Sequence, residues 1–352
     1  MNIVIRVDSS TKIGTGHVMR CITLAHRLKD KDSNVYFVCR NLKGNLNNMI
    51  QEKGFQIIQL PNYQMSKDAD VFDWKRDVKE TITCIKDLPK LDYLLVDHYG
   101  IDARWETQVK QYVGKVIVID DLANRPHNCE ILIDQNVSPN PQRYHQLVPK
   151  HCQLFLGTSY ALLRDQFRQE KNKVNRNFNE IKRILIFFFF FDPTKETSRI
   201  VALLKNHKYA SLHIDVVVGN SNPQKNRIEK VCLEISNMHF HCQVDNMAEL
   251  ICKADLSIGA GGTATWERCY LGLPAIVIAT ADNQLELSHA VSQRGAIYLL
   301  GKSYEVDGST ILQAFDSILK NPQVAREMSE NALLLMGEDL LETVINEIRG
   351  EK

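Results

Sequence analysis

Short apolar, β-branched runs recur along this chain, each followed by a longer stretch of helical periodicity, and that alternation restricts the fold to an α/β class with parallel sheets. In the first half the runs are Asn2 to Val7, Asn34 to Cys39, Phe55 to Leu60, Asp92 to Asp97, Lys115 to Asp120 and Glu130 to Asp134. Tyr93-Leu94-Leu95-Val96 and Val116-Ile117-Val118-Ile119 are apolar throughout, as strands covered on both faces by helices must be. Asp97, Asp120 and Asp134 then fall at or just past strand C-termini, the edge where open α/β sheets hold ligands.

A second series begins after a polar run. It comprises a strand Arg183 to Phe188, a helix from Asp192, strands at His213 to Val218 and near His239 to Gln243, a strand Leu256 to Gly259, a helix Thr263 to Leu271 and a strand Pro274 to Ala279. The polar stretch offers little to a core, so the expected division is an N-terminal domain over 1–165, a linker over 166–182 and a C-terminal domain over 183–352. From Val324 to Ile348 the spacing of Met328, Leu333, Leu334, Leu340, Leu341, Val344 and Ile348 predicts one or two amphipathic helices. These either close the second domain or cross back onto the first.

A length of 352 residues allows two domains of this kind, each with its own core. Lys plus Arg (43) and Asp plus Glu (42) nearly cancel, so there is no global field for a nucleic-acid partner, and an anion must be bound locally. The opening Met1-Asn2-Ile3-Val4-Ile5-Arg6 reads as a strand and not as a secretory leader. The longest apolar runs, such as Ile184 to Phe191, fall far short of the ~20 residues of a membrane span. Nine cysteines without a Cys-x-x-Cys pair support neither a disulfide framework nor a zinc ribbon, and the expected location is the cytoplasm. No cofactor and no metal ion is expected.

The chemistry-bearing stretch of the first half runs from Arg6 to Arg20. Gly14 and Gly16 permit a tight turn, and the helix that starts near His17 directs its N-terminus to the same place. Met19 stands where a dinucleotide fingerprint needs its third glycine, and no Walker Lys-Ser/Thr follows, so neither NAD nor ATP is indicated. A titratable ring at a helix start suits a base, and the Gly-x-Gly-His turn favours that reading of His17 over simple capping.

The second half carries Ile258-Gly259-Ala260-Gly261-Gly262-Thr263-Ala264-Thr265-Trp266-Glu267-Arg268 between a strand and a helix. Glycines at 261 and 262 let successive amides, with that of Thr263, face an anion such as a diphosphate. Glu267, about a turn into the helix, is placed to accept hydrogen bonds from ribose hydroxyls. Asn283 and Gln284 follow the next strand, and their amides suit sugar hydroxyls or acetamido groups. A helix capped at Thr263, Asp282 or Asn283 would account for single residues but not for the set.

Together with Gly14 to Arg20, the segments Val96-Asp97-His98-Tyr99-Gly100, Leu156 to Arg164, Gly259 to Glu267 and Asn283-Gln284 resemble the UDP-sugar hydrolase family of bacterial pseudaminic acid synthesis. The resemblance runs through nearly the whole chain. It implies the GT-B fold, two Rossmann-like domains facing across a cleft, and a small-molecule UDP-sugar as partner. It implies the removal of UDP from UDP-2,4-diacetamido-2,4,6-trideoxy-β-L-altrose, with His17 as catalytic base, Glu267 in the UDP site and Arg164 near the ligand. On this reading Gly14, Gly16, Arg20, Asp97, His98, Arg164, Gly261, Gly262, Thr263, Glu267, Asn283 and Gln284 bind substrate, and His17 activates water for inverting attack at the anomeric carbon.

One departure stands out. Where the family has a Gly-Gly turn before Asp-Pro, this chain reads Phe187-Phe188-Phe189-Phe190-Phe191-Asp192-Pro193. Large rings at 189 and 190 would be strained at any positive φ, and they either occupy ligand space or pack behind the sheet. The alternatives are a GT-B glycosyltransferase, a UDP-sugar 2-epimerase and a non-catalytic nucleotide-sugar-binding protein. Residues 1–100 lack the apolar and basic surface that a lipid-linked acceptor needs, which places the transferase second.

Overall fold

The computed structural model describes residues 1–29, 33–62, 72–138 and 140–351. They form two compact units, the first from Met1–Leu162 together with the segment that begins at Asp339, the second from Leu163–Glu338.

The first unit is a parallel sheet of seven strands, β1 (Asn2–Val7), β2 (Asn34–Arg40), β3 (Gln56–Leu60), β4 (Leu91–Asp97), β5 (Val113–Ile119), β6 (Ile131–Asp134) and β7 (Gln153–Leu156). Their order is β3-β2-β1-β4-β5-β6-β7. Side chains alternate between two cores, as the period of two demands. Ile3, Ile5, Phe37, Leu95 and Ile117 face one core, with Val18, Ile22 and Ala25 of the helix Gly16–Leu28. Val4, Val38, Leu94, Val96 and Val116 face the other, with Val78 and Trp105.

A buried charge network ties elements of this unit together. Asp77 of the helix Trp74–Ile85 receives Arg6 of β1 at 2.7 Å, Arg40 of β2 at 2.5 Å and the Trp105 indole N–H at 3.0 Å. Arg6 also pairs with Asp8 at 2.6 Å. Each of these carboxylates is out of water, so the arginines opposite them are what makes their burial tolerable.

The second unit is a parallel sheet of six strands, β8 (Arg183–Phe187), β9 (His213–Val218), β10 (Met238–Cys242), β11 (Leu256–Ala260), β12 (Ala275–Ala279) and β13 (Tyr298–Lys302), in the order β10-β9-β8-β11-β12-β13. Ile184, Ile186, Ile214, Val216 and Ile258 pack against Ile200, Val201, Ile311 and Phe315. In both sheets the winding reverses beside the first strand, between β1 and β4 and between β8 and β11. Crevices at the strand C-termini beside such reversals are where doubly wound folds bind ligands.

The stretch 166–182 lies within the second unit and is not a bare connector. Asp165–Lys171 is a helix with Phe167 buried. Arg176 donates to the carbonyls of Ala254, Ile251 and Leu271, at the ends of the helices Met247–Lys253 and Ala264–Tyr270. Burial lowers this guanidinium to about 10. A cation facing helix C-termini completes carbonyls that the helices cannot satisfy themselves.

The amphipathic tail forms two helices. Pro322–Met336 belongs to the second unit, and Leu341–Arg349 belongs to the first, with Leu341, Val344, Ile345 and Ile348 in its core. Leu340 N–H donates to the Ser159 carbonyl at 2.8 Å, and Arg349 donates to the Arg27 carbonyl at 2.9 Å.

Candidate active site

The sequence-predicted residues gather in two clusters, one in each unit. In the first, the turn after β1 closes on itself. Gly14 N–H donates to the Ser10 carbonyl at 2.9 Å, and the Ser10 hydroxyl accepts from the amides of Lys12 (3.1 Å) and Ile13 (3.0 Å). Gly14 has φ +84°, which accounts for glycine at this position, while Gly16 opens the helix.

His17 follows on the first turn of that helix and is buried at 7% exposure. Its Nδ1 is 2.6 Å from the Asp97 carboxylate at the end of β4, across the winding reversal. Burial works to raise the Asp97 carboxyl, but Arg20 and then His17 outweigh it and hold it well below the usual carboxylate range. An ionised carboxylate only accepts, so Nδ1 donates, and the tautomer that does so has its lone pair on Nε2.

Arg20 secures this arrangement. Its guanidinium donates to both Asp97 oxygens at 2.6 and 2.7 Å and to Asp121 at 2.7 Å. Tyr99 stands edge-on to the His17 ring at a centroid distance of 4.5 Å, and burial followed by Asp121 pushes its phenol up. His98, expected to bind substrate, is engaged within its own unit. Its Nδ1 accepts from Gly100 N–H at 3.0 Å, and its Nε2 is 3.4 Å from Asp8.

In the second unit the turn after β11 carries Gly261 and Gly262, the latter at φ +79°. The helix Ala264–Tyr270 follows, with Thr263 at its N-cap. Arg164 reaches Glu267 through two bonds to Oε1, at 3.1 and 2.8 Å, so these distant residues meet side by side. Both remain partly exposed. Gln284 lies beside the same turn, its Cβ 3.2 Å from where a Cβ on Gly261 would stand. Its carboxamide oxygen accepts from Thr280 N–H at 3.0 Å. Asn283 is exposed in the short turn Asp282–Gln284. Ser288, which no sequence motif singles out, is buried with its hydroxyl 2.5 Å from that Gly261 Cβ position.

The phenylalanine run occupies the other side of this winding reversal. Phe188 is buried in the core, while Phe189 is half-buried against it with φ +61°. A Cβ on Gly262 would stand 3.2 Å from Phe189 Cζ, so that ring touches the glycine turn itself. Phe190 presses its backbone on Gly219, 2.5 Å from where a Cβ would be. Rings of Phe187, Phe189 and Phe190 cluster at centroid distances of 6.1 and 6.0 Å. Asp192 then ends the loop by accepting from Glu196 N–H at 2.9 Å and Thr197 N–H at 2.8 Å.

Two doubly wound sheets, each with a polar or glycine-rich turn at its winding reversal, define a protein of the GT-B fold class. Residues 165–344, just over half of the chain, match the glycosyltransferase family 28 C-terminal domain, and the chain belongs to that family. It is 29% identical over 307 residues to the UDP-2,4-diacetamido-2,4,6-trideoxy-beta-L-altropyranose hydrolase of Campylobacter jejuni, covering 87% of this chain and 99% of that one. Among solved structures it is similar to MurG of Acinetobacter baumannii, with a TM-score of 0.67, 14% identity and 99% of each chain covered. It is also similar to a UDP-GlcNAc 2-epimerase of Neisseria meningitidis bound to UDP-GlcNAc, with a TM-score of 0.60, 14% identity and 99% of each chain covered.

Among the described residues no group of three or more His, Cys, Asp or Glu is arranged to hold a metal ion. No described helix is long and apolar enough to cross a membrane.

Proposed function

We propose that this chain is an enzyme acting on a UDP-sugar, and that it hydrolyses the bond between the anomeric carbon and the diphosphate. The observation that carries the reading is the His17–Asp97 pair at 2.6 Å, which leaves Nε2 of a buried imidazole as a base. Water attacks the anomeric carbon from the face opposite the diphosphate. His17 Nε2 takes the water's proton, the glycosidic C–O bond breaks, and its electron pair leaves on the diphosphate oxygen. The anomeric centre is inverted.

In this proposal the second unit holds UDP. Amides of Gly261, Gly262 and Thr263 stabilise the charge that develops on the diphosphate. Glu267, with Oε1 engaged by Arg164, offers Oε2 to the ribose hydroxyls. Gln284 and Asn283 meet the sugar. The Campylobacter relative's name points to UDP-2,4-diacetamido-2,4,6-trideoxy-β-L-altrose as substrate, hence to pseudaminic acid synthesis. The epimerase neighbour and the family's transferase name keep those two reactions as rivals. Phe189 against Gly262 favours a third, a protein that binds a nucleotide-sugar without turning it over.

The deciding experiment is incubation with that UDP-sugar in ¹⁸O-water, followed by NMR and mass spectrometry. Hydrolysis as proposed releases UDP without label and an inverted free sugar carrying ¹⁸O. Label in the nucleotide product would move the attack to phosphorus. UDP release only with an added acceptor would make the chain a transferase, and an intact UDP-sugar epimerised at C2 would make it an epimerase. Binding without any product would leave the non-catalytic reading.

A further inference from the structure

Cys129 and Cys152 stand just ahead of β6 and β7, neighbouring parallel strands at one edge of the first sheet. The strands are in register at Ile131 and Gln153, and Gln153 N–H donates to the Glu130 carbonyl at 2.9 Å. This register brings the two sulfurs to 3.6 Å, within hydrogen-bond distance of one another. Cys129 is fully buried and Cys152 is only partly so. A thiol pair at this distance, with one member reachable from solvent, is arranged as an attacking and a resolving cysteine.

We propose that Cys129 and Cys152 form a redox modification site, in which a hydroperoxide oxidises Cys152 and Cys129 closes a disulfide between the two strands. The Cys152 thiolate attacks one peroxide oxygen, the O–O bond breaks, and the other oxygen leaves as water once protonated. The Cys129 thiol then attacks the Cys152 sulfenic sulfur, an S–S bond forms and a second water leaves. Overall two thiols and one hydrogen peroxide give one disulfide and two waters.

The local charges fit this division of labour. The hydrogen bond from Cys129, ahead of any other influence, lowers the Cys152 thiol, and Lys110 adds to that against burial, Glu130 and Glu106. That same bond and burial push Cys129 up, so it keeps its proton until the sulfenic acid has formed. Lys110 is held nearby by Glu130 at 2.7 Å and Asn128 at 2.8 Å. Among the described residues β7 pairs with β6 alone, and it is four residues long, so a covalent tie to β6 removes much of its freedom to fray.

The test uses the full chain, reduced, freed of reductant and treated with one to two equivalents of hydrogen peroxide. Two of the nine thiols should be lost to a thiol reagent under denaturing conditions. Trypsin cuts after Lys150 and Arg143, so non-reducing mass spectrometry should show the peptide bearing Cys129 joined to the one beginning at His151. The melting temperature should rise and fall back on reduction. Cys152→Ser should abolish both the cross-link and the rise. Cys129→Ser should give a Cys152 sulfenic acid that dimedone traps in higher yield than in the parent. Oxidation confined to other cysteines would overturn the proposal, as would a Cys152 sulfenic acid that never passes to Cys129 in the parent chain.

Discussion

His17→Asn keeps a short polar side chain that can still donate toward Asp97 but has no basic nitrogen to offer water. Turnover of the UDP-sugar should fall by a factor on the order of 10² to 10⁴, the usual worth of a positioned general base, with UDP affinity nearly unchanged. Parent-like turnover would remove His17 from the mechanism. At Glu267 the expectation is opposite, because this residue is assigned to binding. Glu267→Ala should weaken UDP by roughly 1.5 to 3 kcal/mol, the cost of hydrogen bonds to a charged group, as calorimetry would show. Phe189 is the residue whose effect is hardest to guess from type alone. A non-glycine residue at φ +61° pays about 1 to 2 kcal/mol, which glycine recovers, while removing the half-buried ring forfeits part of its packing. The two terms oppose, so Phe189→Gly should melt within a few degrees of the parent and bind UDP more tightly. A large loss of stability with no gain in UDP affinity would make the run a working part of the core. The glycines of 261–262 and the Gly-x-Gly-His turn were legible because such turns tolerate few residue types. Tyr99 and Asp121 were not singled out, because their value comes from contacts with His17 and Arg20 that lie about 80 to 100 positions away in the chain.

Strands with both faces covered were legible to within a residue or two, since an unbroken apolar run of that length suits little besides a buried strand. β7 and β13 gave a weaker signal because each is a short edge strand whose burial is only partial. Arg176 gave no signal either, as its partners are carbonyls and any sequence supplies those. The network on Asp77 is similar in kind, and it makes an element-level prediction about acid. Burial alone would raise the Asp77 carboxyl, but Arg6, followed by the bonds from Arg6 and Arg40, holds it at about 2, below its ordinary 3.8. A folded-state value below the unfolded one stabilises fully above about pH 4 and is lost as pH falls toward 2, a contribution of about 2 kcal/mol. Asp77→Asn should therefore be less stable than the parent in urea at pH 6, with the difference shrinking between pH 4 and pH 2. A difference that stays constant across that window would assign the acid sensitivity to other carboxylates.

At the scale of the whole molecule, the sequence showed two α/β halves but left open which of them the last helix completes. Amphipathic spacing says only that one face will be buried, not against what. In the structure Leu341, Val344, Ile345 and Ile348 join Val18, Ile22 and Ala25 in the core under the first sheet. Arg349 bonds to the Arg27 carbonyl and Arg27 pairs with Glu342, so both ends of this helix are tied to the helix Gly16–Leu28. That helix begins with the turn bearing His17, which makes the tail a support for the proposed base although it is more than 300 residues away in the chain. Four such side chains contribute roughly 1.5 to 3 kcal/mol each on burial, and Ile345→Ala alone should cost about 2 to 5 kcal/mol once the cavity is counted. Ending the chain after Glu338 should therefore loosen the first unit and abolish turnover, while UDP binding, assigned to the second unit, persists. Hydrogen exchange should quicken at the amides of β1, β4 and the helix Gly16–Leu28, and the Ile345→Ala variant should show the same pattern in weaker form. Faster exchange confined to β8 and β11, or loss of UDP binding with the first unit still protected, would mean that this helix supports the nucleotide-binding half instead.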